Sequence, residues 1–166
     1  GDKASARKVA MAAAVPVVPA TDVLPKDIEE ISELAKGIGF PLMLKASWGG
    51  GGRGMRPVLD ENELSAKILE GRREAQSAFG NDEGYLEKLI ARARHVEVQI
   101  LGDKFGTIFH LWERDCSVQR RNQKVVERAP APYLKKAQRE QLCGYATAIC
   151  QKVGYYCAGT VEFLMD

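Results

Sequence analysis

The sequence predicts an α+β protein, on three observations. Helical and strand-like patterns come in blocks and do not alternate as βαβ units would. The apolar run "PLMLKA" enters a glycine-rich stretch and "GMRPVLD" leaves it in extended form, which outlines a glycine-tipped antiparallel hairpin. Three strand-like runs, "GYLEKLI", "RHVEVQILGD" and "GTIFHLWERD", then follow one another, the last two joined at Gly102-Asp103-Lys104.

Residues 2–14 read as a helix, ended by the turn-rich "VPVVPATDVLP". Residues 26–38 form a second, with Ile28, Ile31, Leu34, Ala35 and Ile38 on one stripe and Gly37 and Gly39 closing it. After the hairpin, Asp60 caps a third helix, with Glu63 completing a capping-box pattern. Leu64, Ile68, Ala75 and Phe79 carry its apolar face, and Gly80-Asn81 stops it. Beyond the three strands lies a polar, basic stretch, "CSVQRRNQKVVERAPAP". Residues 135–153 make the clearest helix, with Leu142, Tyr145, Ala146, Ile149, Cys150 and Val153 in helical register. "AGTVEFLM" is a final strand.

The chain has 166 residues, enough for one domain or two small lobes, and a natural seam falls near residues 83–90. A net charge of +2, from 24 basic and 22 acidic side chains, excludes a polybasic nucleic-acid binder by bulk charge. No apolar stretch approaches membrane-span length and no signal peptide opens the chain. Cys143, Cys150 and Cys157 are spaced seven apart, but Gly154 ends the helix before Cys157. No histidine lies near them in sequence, so buried reduced thiols in a reducing, cytoplasm-like compartment are expected rather than a metal site. Both ends fall inside regular patterns, and a piece cut from a longer protein is expected.

The glycine run "KASWGGGGRGMR" has the composition of a phosphate cradle. Gly49, Gly51 and Gly54 match G-x-G-x-x-G, yet a strand-like segment with Pro57 follows where a dinucleotide site needs a helix. A Walker A loop places its lysine at the loop end, whereas Lys45 precedes the glycines. A kinase glycine flap is a hairpin, but its lysine comes after the loop, and the chain has no H-R-D or D-F-G. What survives is a hairpin flap carrying Arg53 and Arg56, with Lys45 ahead of it, whose backbone amides could close on phosphate oxygens. A bare surface loop is the alternative.

"KASWGGGGRGMR", "YLEKL", "RHVEVQILGD", "ERDCSVQRRNQKVVERAPAP" and "GTVEFL" occur in the order found in biotin carboxylases of the ATP-grasp superfamily, and the chain resembles that family along its length. Its "YLEKL" and "QRRNQK" look like the pyruvate-carboxylating branch, where acetyl-CoA carboxylase subunits usually read "YMEKY" and "QRRHQK". Asn122 thus stands where many relatives carry histidine, and it leaves that histidine's role open here.

The resemblance implies an ATP-grasp piece: residues 1–17 a leading helix and linker, 18–89 the small lid subdomain, and 90–166 the N-terminal part of the central antiparallel-sheet subdomain. It implies that Lys3 and Lys45 bind ATP phosphates and that the loop of Gly49, Gly50, Gly51, Gly52 and Gly54 closes over them. By the same resemblance Glu87, Lys88 and Ile90 form the hinge facing adenine, largely through backbone, and His95 and Gln119 lie near ribose and phosphates. Lys124 is the implied catalytic residue, holding bicarbonate and the carboxyphosphate made from it, and Glu162 is one of two implied metal ligands. The implied cofactors are ATP, Mg2+ or Mn2+, and biotin on a carrier domain, with bicarbonate as substrate. The implied partners are the biotin carboxyl carrier and carboxyltransferase domains of the same enzyme, in a homo-oligomer, with no nucleic-acid or membrane partner. The chain alone is expected to be inactive.

Read without that resemblance, the same residues leave alternatives. Glu87 and Lys88 suit solvated strand positions, and His95 suits a structural role. "QRRNQK" suits a solvated face or a nucleic-acid patch; against the patch, it lacks interleaved aromatics for base stacking and is bounded by Glu113, Asp115 and Glu127. Glu162 stands inside an apolar run and needs a partner, a cation or water. Another ATP-grasp ligase, of carbamoyl-phosphate or purine-pathway type, and a non-catalytic nucleotide-binding module remain rival functions.

Overall fold

Four helices and seven strands form among the described residues, which in this computed structural model are 3–48, 55–121 and 123–165. In chain order they are α1 (Lys3–Ala12), α2 (Ile28–Ile38), β1 (Leu42–Ala46), β2 (Arg56–Val58), α3 (Glu61–Phe79), β3 (Gly84–Lys88), β4 (Arg94–Gly102), β5 (Ile108–Arg120), β6 (Gln123–Arg128), α4 (Lys136–Lys152) and β7 (Ala158–Met165). Their contacts divide into two units, Gly1–Lys8 with Val17–Leu89 and Val9–Pro16 with Ile90–Asp166.

The first unit is built on β1, the middle strand of an antiparallel sheet in the order β2-β1-β3. Leu42, Leu44 and Ala46 are buried while Met43 and Lys45 are half-buried, the period-2 signature of a strand covered more on one face. Leu64 and Ile68 of α3 join Ile31 and Ala35 of α2 in the core against that face. At Gly71 a β-carbon would lie 2.5 Å from Leu44 Cδ2, so the missing side chain sets how closely α3 approaches β1. Asp27 caps α2 by accepting from the Glu29 and Glu30 amides. The buried stripe of α2 is narrower than its sequence suggests. Ile31 and Ala35 are fully buried, but Ile28 and Leu34 are each 39% exposed, because an 11-residue helix meets its neighbours along one i, i+4 seam.

Asp60 caps α3 as expected, taking the Asn62 and Glu63 amides, but the Glu63 carboxylate reaches past it to the Leu59 N–H. The capping box is therefore shifted by one residue. Gly80 ends α3 in the left-handed region at φ +70°. Pro19–Leu24 runs beside β3, with Thr21 and Leu24 amides donating to Leu86 and Gly84 carbonyls and the Lys88 amide donating to Pro19 O.

The second unit is an antiparallel sheet in the order β6-β5-β4-β7. Val96, Val98 and Ile100 point to one face, where Leu142, Cys143, Ala146 and Cys150 of α4 cover them. This face of α4 includes Cys143 in place of the expected Tyr145, Ile149 and Val153, of which Val153 is already the C-cap and 51% exposed. Cys116, Cys143 and Cys150 are buried, in line with inert thiols, but Cys157 is exposed, since Gly154 at φ +59° turns the chain out of the helix first. The basic stretch forms strand: β5 continues to Arg120 and β6 returns beside it, with all six β6 residues exposed at the sheet edge.

β5 carries one extra residue where it crosses β4. Ile100 pairs with His110 but Val98 pairs with Glu113, and Trp112 takes φ +64° at the irregularity. Beyond it, Glu113 and Asp115 face the α4 side and are buried. Glu113 Oε1 accepts from the Ala131 N–H (3.1 Å) and Arg139 Nε (2.7 Å). Asp115 accepts from Ser117 N and Oγ, Arg128 Nη2 (2.6 Å) and Tyr133 OH. The two carboxylates tie the segment before α4 to the sheet.

Candidate functional site

The face of the second sheet opposite α4 carries a cluster of charged and polar side chains. Strand alternation places His95, Glu97 and Gln99 there, between the inward Val96, Val98 and Ile100. Glu97 has Arg114 as its register partner on β5 and Glu162 as its partner on β7, so three charged residues form one row across three strands. Arg114 grips Glu97 Oε1 through Nε (2.9 Å) and Nη2 (2.6 Å), and both of its terminal nitrogens donate to Gln99 Oε1 at 3.1 Å. Its Nε also lies 3.4 Å from Glu127 Oε2. The Lys124 ammonium donates to the other Glu97 oxygen, Oε2.

The Glu97 side chain is 5% exposed, so its charge must be matched locally, and two cations match it. Burial on its own pushes its pKa up, but the hydrogen bonds from Lys124 and Arg114 outweigh that and lower it. Burial works to lower the Lys124 pKa, and the Glu97 hydrogen bond, with the charges of Glu162 and Glu97, raises it instead. Burial, reinforced by the Glu97 charge, pushes the Cys116 thiol up to about 11, so this cysteine is protonated at neutral pH and no nucleophile.

Glu162 has a different environment. Its side chain is 47% exposed, and its Oε1 lies 3.1 Å from His95 Nδ1. Of the alternatives for this carboxylate, a partner and water both apply. Gln119 turns back on its own strand, donating from Nε2 to Cys116 O at 3.0 Å. Glu97, Cys116 and Glu127 have metal-capable atoms within 4.8 Å of one another. That trio does not suit a hard divalent cation, because Glu97 is already held by Arg114 and Lys124 and the thiol is protonated. Glu162, a half-exposed carboxylate beside them, fits such an ion better.

In the first unit, Lys45 of β1 and Glu87 of β3 form an ion pair with side chains 18% and 12% exposed. Glu87 is thus not a solvated strand residue. Lys88 is not free either, since its ammonium donates to the Gly39 and Phe40 carbonyls at 2.9 and 2.8 Å. Ile90 follows β3 and is half-buried. Arg56, read from sequence as part of the flap, turns instead onto α3, with Nη2 2.5 Å from Glu74 Oε2. Lys3 begins α1. Its side chain, Gly49, Gly50, Gly51, Gly52, Arg53, Gly54 and Asn122 lie outside the described residues.

The sequence reading missed Glu97 and Arg114. The signal was present in "HVEVQI", where a carboxylate interrupts a strand as it does in "TVEFLM". Arg114 had no signal of its own, because its face depends on the extra residue in β5.

The chain is a member of the family of the carbamoyl-phosphate synthase L chain ATP-binding domain, whose model matches residues 2–166. More particularly, it is similar to pyruvate carboxylase from Bacillus subtilis, being 49% identical over 165 residues, which are 99% of this chain and 14% of that protein. Among solved structures, a Rhizobium etli pyruvate carboxylase superposes with a TM-score of 0.94 at 59% identity, covering 100% of this chain and 14% of that one. The biotin carboxylase domain of Hydrogenobacter thermophilus 2-oxoglutarate carboxylase, in complex with MgADP, ADP and bicarbonate, superposes at 0.96 with 49% identity, covering 100% of this chain and 37% of that one.

Proposed function

We propose that this chain handles MgATP and bicarbonate in a biotin-dependent carboxylase of the pyruvate carboxylase kind. The observation that carries the reading is the Lys124 ammonium, fixed on Glu97, whose register partner on β7 is the half-exposed Glu162. That pairing offers an anchored cation for an anionic substrate beside a carboxylate suited to a metal. The 49% identity to a biotin carboxylase domain in complex with MgADP and bicarbonate supports it.

Lys3, Lys45 and the glycines 49–52 and 54 take the ATP phosphates, and the unit holding residues 18–89 acts as a lid. Glu87, Lys88 and Ile90 meet adenine through backbone, consistent with a Lys88 ammonium already engaged by two carbonyls. His95 and Gln119 serve the ribose and phosphates. Glu162 would be the residue to hold a divalent ion, whose charge would offset that of the phosphates.

Lys124 orients bicarbonate so that an oxygen attacks the γ-phosphorus and ADP leaves, and it then holds the carboxyphosphate, which breaks down to phosphate and carbon dioxide for biotin. Such a reaction asks protein groups for positioning and charge rather than covalent help. Biotin arrives on a carrier domain, and a carboxyltransferase domain of the same homo-oligomeric enzyme passes the carboxyl group to pyruvate. The 59% identity to a Rhizobium etli pyruvate carboxylase supports pyruvate as acceptor. Four free cysteines suit a reducing compartment such as the cytoplasm.

The test is ATP cleavage by the full-length protein carrying this sequence, with free biotin and with or without bicarbonate. Cleavage should require both, and Lys124→Ala should lower kcat by about 100-fold or more, as when a single transition-state stabiliser is removed. Cleavage indifferent to bicarbonate and biotin refutes the reading and favours another ligase of the same family.

A further inference from the structure

On the β5 side, the ladder of β4 stops one step short of His95. The β4–β5 register ends with Val96 opposite Asp115, although His95 still pairs with Leu164 of β7. One step further, a regular antiparallel ladder would set His95 opposite Cys116, and the His95 N–H would meet the Cys116 carbonyl. Neither group goes without a partner, because two side chains of β5 stand in. The His95 N–H donates to Ser117 Oγ at 3.0 Å, and Gln119 Nε2 donates to the Cys116 carbonyl at 3.0 Å.

The serine is itself fixed. Its hydroxyl donates to Asp115 Oδ1 at 2.5 Å and its amide donates to the same oxygen at 3.1 Å, while Asp115 is buried and also held by Arg128 and Tyr133. With the hydroxyl proton spent on a carboxylate, the lone pairs of the oxygen are left for the His95 N–H. We propose that Ser117, oriented by Asp115, is a positioning residue for His95: it supplies the backbone anchor that the β5 ladder withholds and so fixes where the imidazole stands on the open face. The inference rests on the ribose and phosphate role given to His95 above. His95 is the second residue of β4, and its ring reaches Glu162 Oε1 at 3.1 Å from Nδ1. Held by β7 alone, the start of β4 would be free to twist away from β5 and carry the imidazole with it.

The experiment uses the full-length protein carrying this sequence, with MgATP as the varied substrate. Ser117→Ala leaves the His95 N–H without its acceptor, whereas Ser117→Thr keeps the hydroxyl on a side chain suited to a strand. Ser117→Ala should raise KM for MgATP by about tenfold with kcat within about twofold, the pattern of lost uniform binding. Ser117→Thr should return KM to within about twofold of the parent. In a His95→Ala background, where KM is already raised, Ser117→Ala should add less than about twofold, because the ring it places is gone. A serine with a purely structural role would lower the folded fraction, and so the apparent kcat, without moving KM. An unchanged KM in Ser117→Ala, no rescue by threonine, or full additivity with His95→Ala overturns the proposal.

A second measurement needs neither catalysis nor a variant. Hydrogen exchange of the unsubstituted protein, resolved to single amides by mass spectrometry, should find the His95 amide protected with the rest of β4, although it lies outside the β5 ladder. Exchange at the rate of a free amide overturns the Ser117 bond. If His95→Ala leaves KM for MgATP unchanged, the nucleotide role of His95 falls and the positioning role falls with it. Protection at His95 together with a KM unmoved by Ser117→Ala overturns the positioning alone.

Discussion

Replacing Arg139 with Met removes one half of a buried ion pair and tests how the second sheet is tied to α4. The Glu113 side chain is fully buried, and its hydrogen bonds converge on Oε1, from Arg139 Nε and the Ala131 N–H. Oε2 has no partner among the described residues, so the guanidinium is the main compensation for the buried charge. Removing one member of such a pair typically costs about 3–5 kcal/mol. Arg139 is 24% exposed and water can partly follow it, so the lower end, about 3 kcal/mol, is expected. The Arg139–Ala131 carbonyl bond at 3.2 Å is lost as well.

The informative comparison is the double variant Glu113→Gln/Arg139→Met. The amide oxygen still accepts from the Ala131 N–H while the charge is gone, so at least half of the loss should return. Urea unfolding followed by Trp112 fluorescence, in a Trp48→Phe background, reads the second unit. A loss below about 1 kcal/mol for the single variant, or a double no better than the single, would show that Glu113 is not held by its ion pair.

Three further predictions concern stability. Gly102→Ala drives a β-carbon into the Tyr155 carbonyl oxygen and to 3.3 Å from Tyr156 Cα, and backbone cannot rotate aside; it should cost about 1–3 kcal/mol and raise hydrogen exchange at the Gly102 amide bonded to Cys157 O. Gly144→Ala, with nothing within 4 Å on α4, should instead stabilise by up to about 1 kcal/mol in the same unfolding assay, and equal effects at both glycines would refute the packing argument. For Asp115, burial acts to raise the pKa, but hydrogen bonds from Ser117, Arg128 and Tyr133 hold it at about 2, against 3.8 unperturbed. A depressed carboxyl contributes stability above its unfolded pKa and loses it as pH falls through the folded one, so about 2 kcal/mol should disappear between pH 4 and 2. Asp115→Asn should flatten the stability-pH slope in that window, and an unchanged slope would refute the assignment.

The elements of the fold were legible because their signals are local. Asp60, Gly80 and the alternation in "PLMLKA" each declare a boundary or a face within a few residues. The β5–β6 pairing was not legible, since edge strands that bury nothing leave no apolar period in "QRRNQK". The α4 stripe was rotated because Cys143 counts as core only once the sheet beneath it is known. At the site, Lys124 and Glu162 could be named from motif context, but their surroundings depend on pairings between strands far apart in sequence. That Lys45 meets Glu87 and Lys88 meets two carbonyls follows from register, which no single segment encodes.

The extra residue in β5 sets the phase of everything after it. Counting back from the hairpin without it, Trp112 would oppose Val98, Glu113 would oppose Glu97 and Arg114 would oppose Val96. Two carboxylates would then confront each other on the open face, and a guanidinium would enter the apolar layer under α4. The strand thus acts as a two-track tape whose tracks are exchanged by one insertion. Between Phe109 and Glu113 length matters more than identity, and a one-residue deletion there should do more harm than any single substitution in the same stretch.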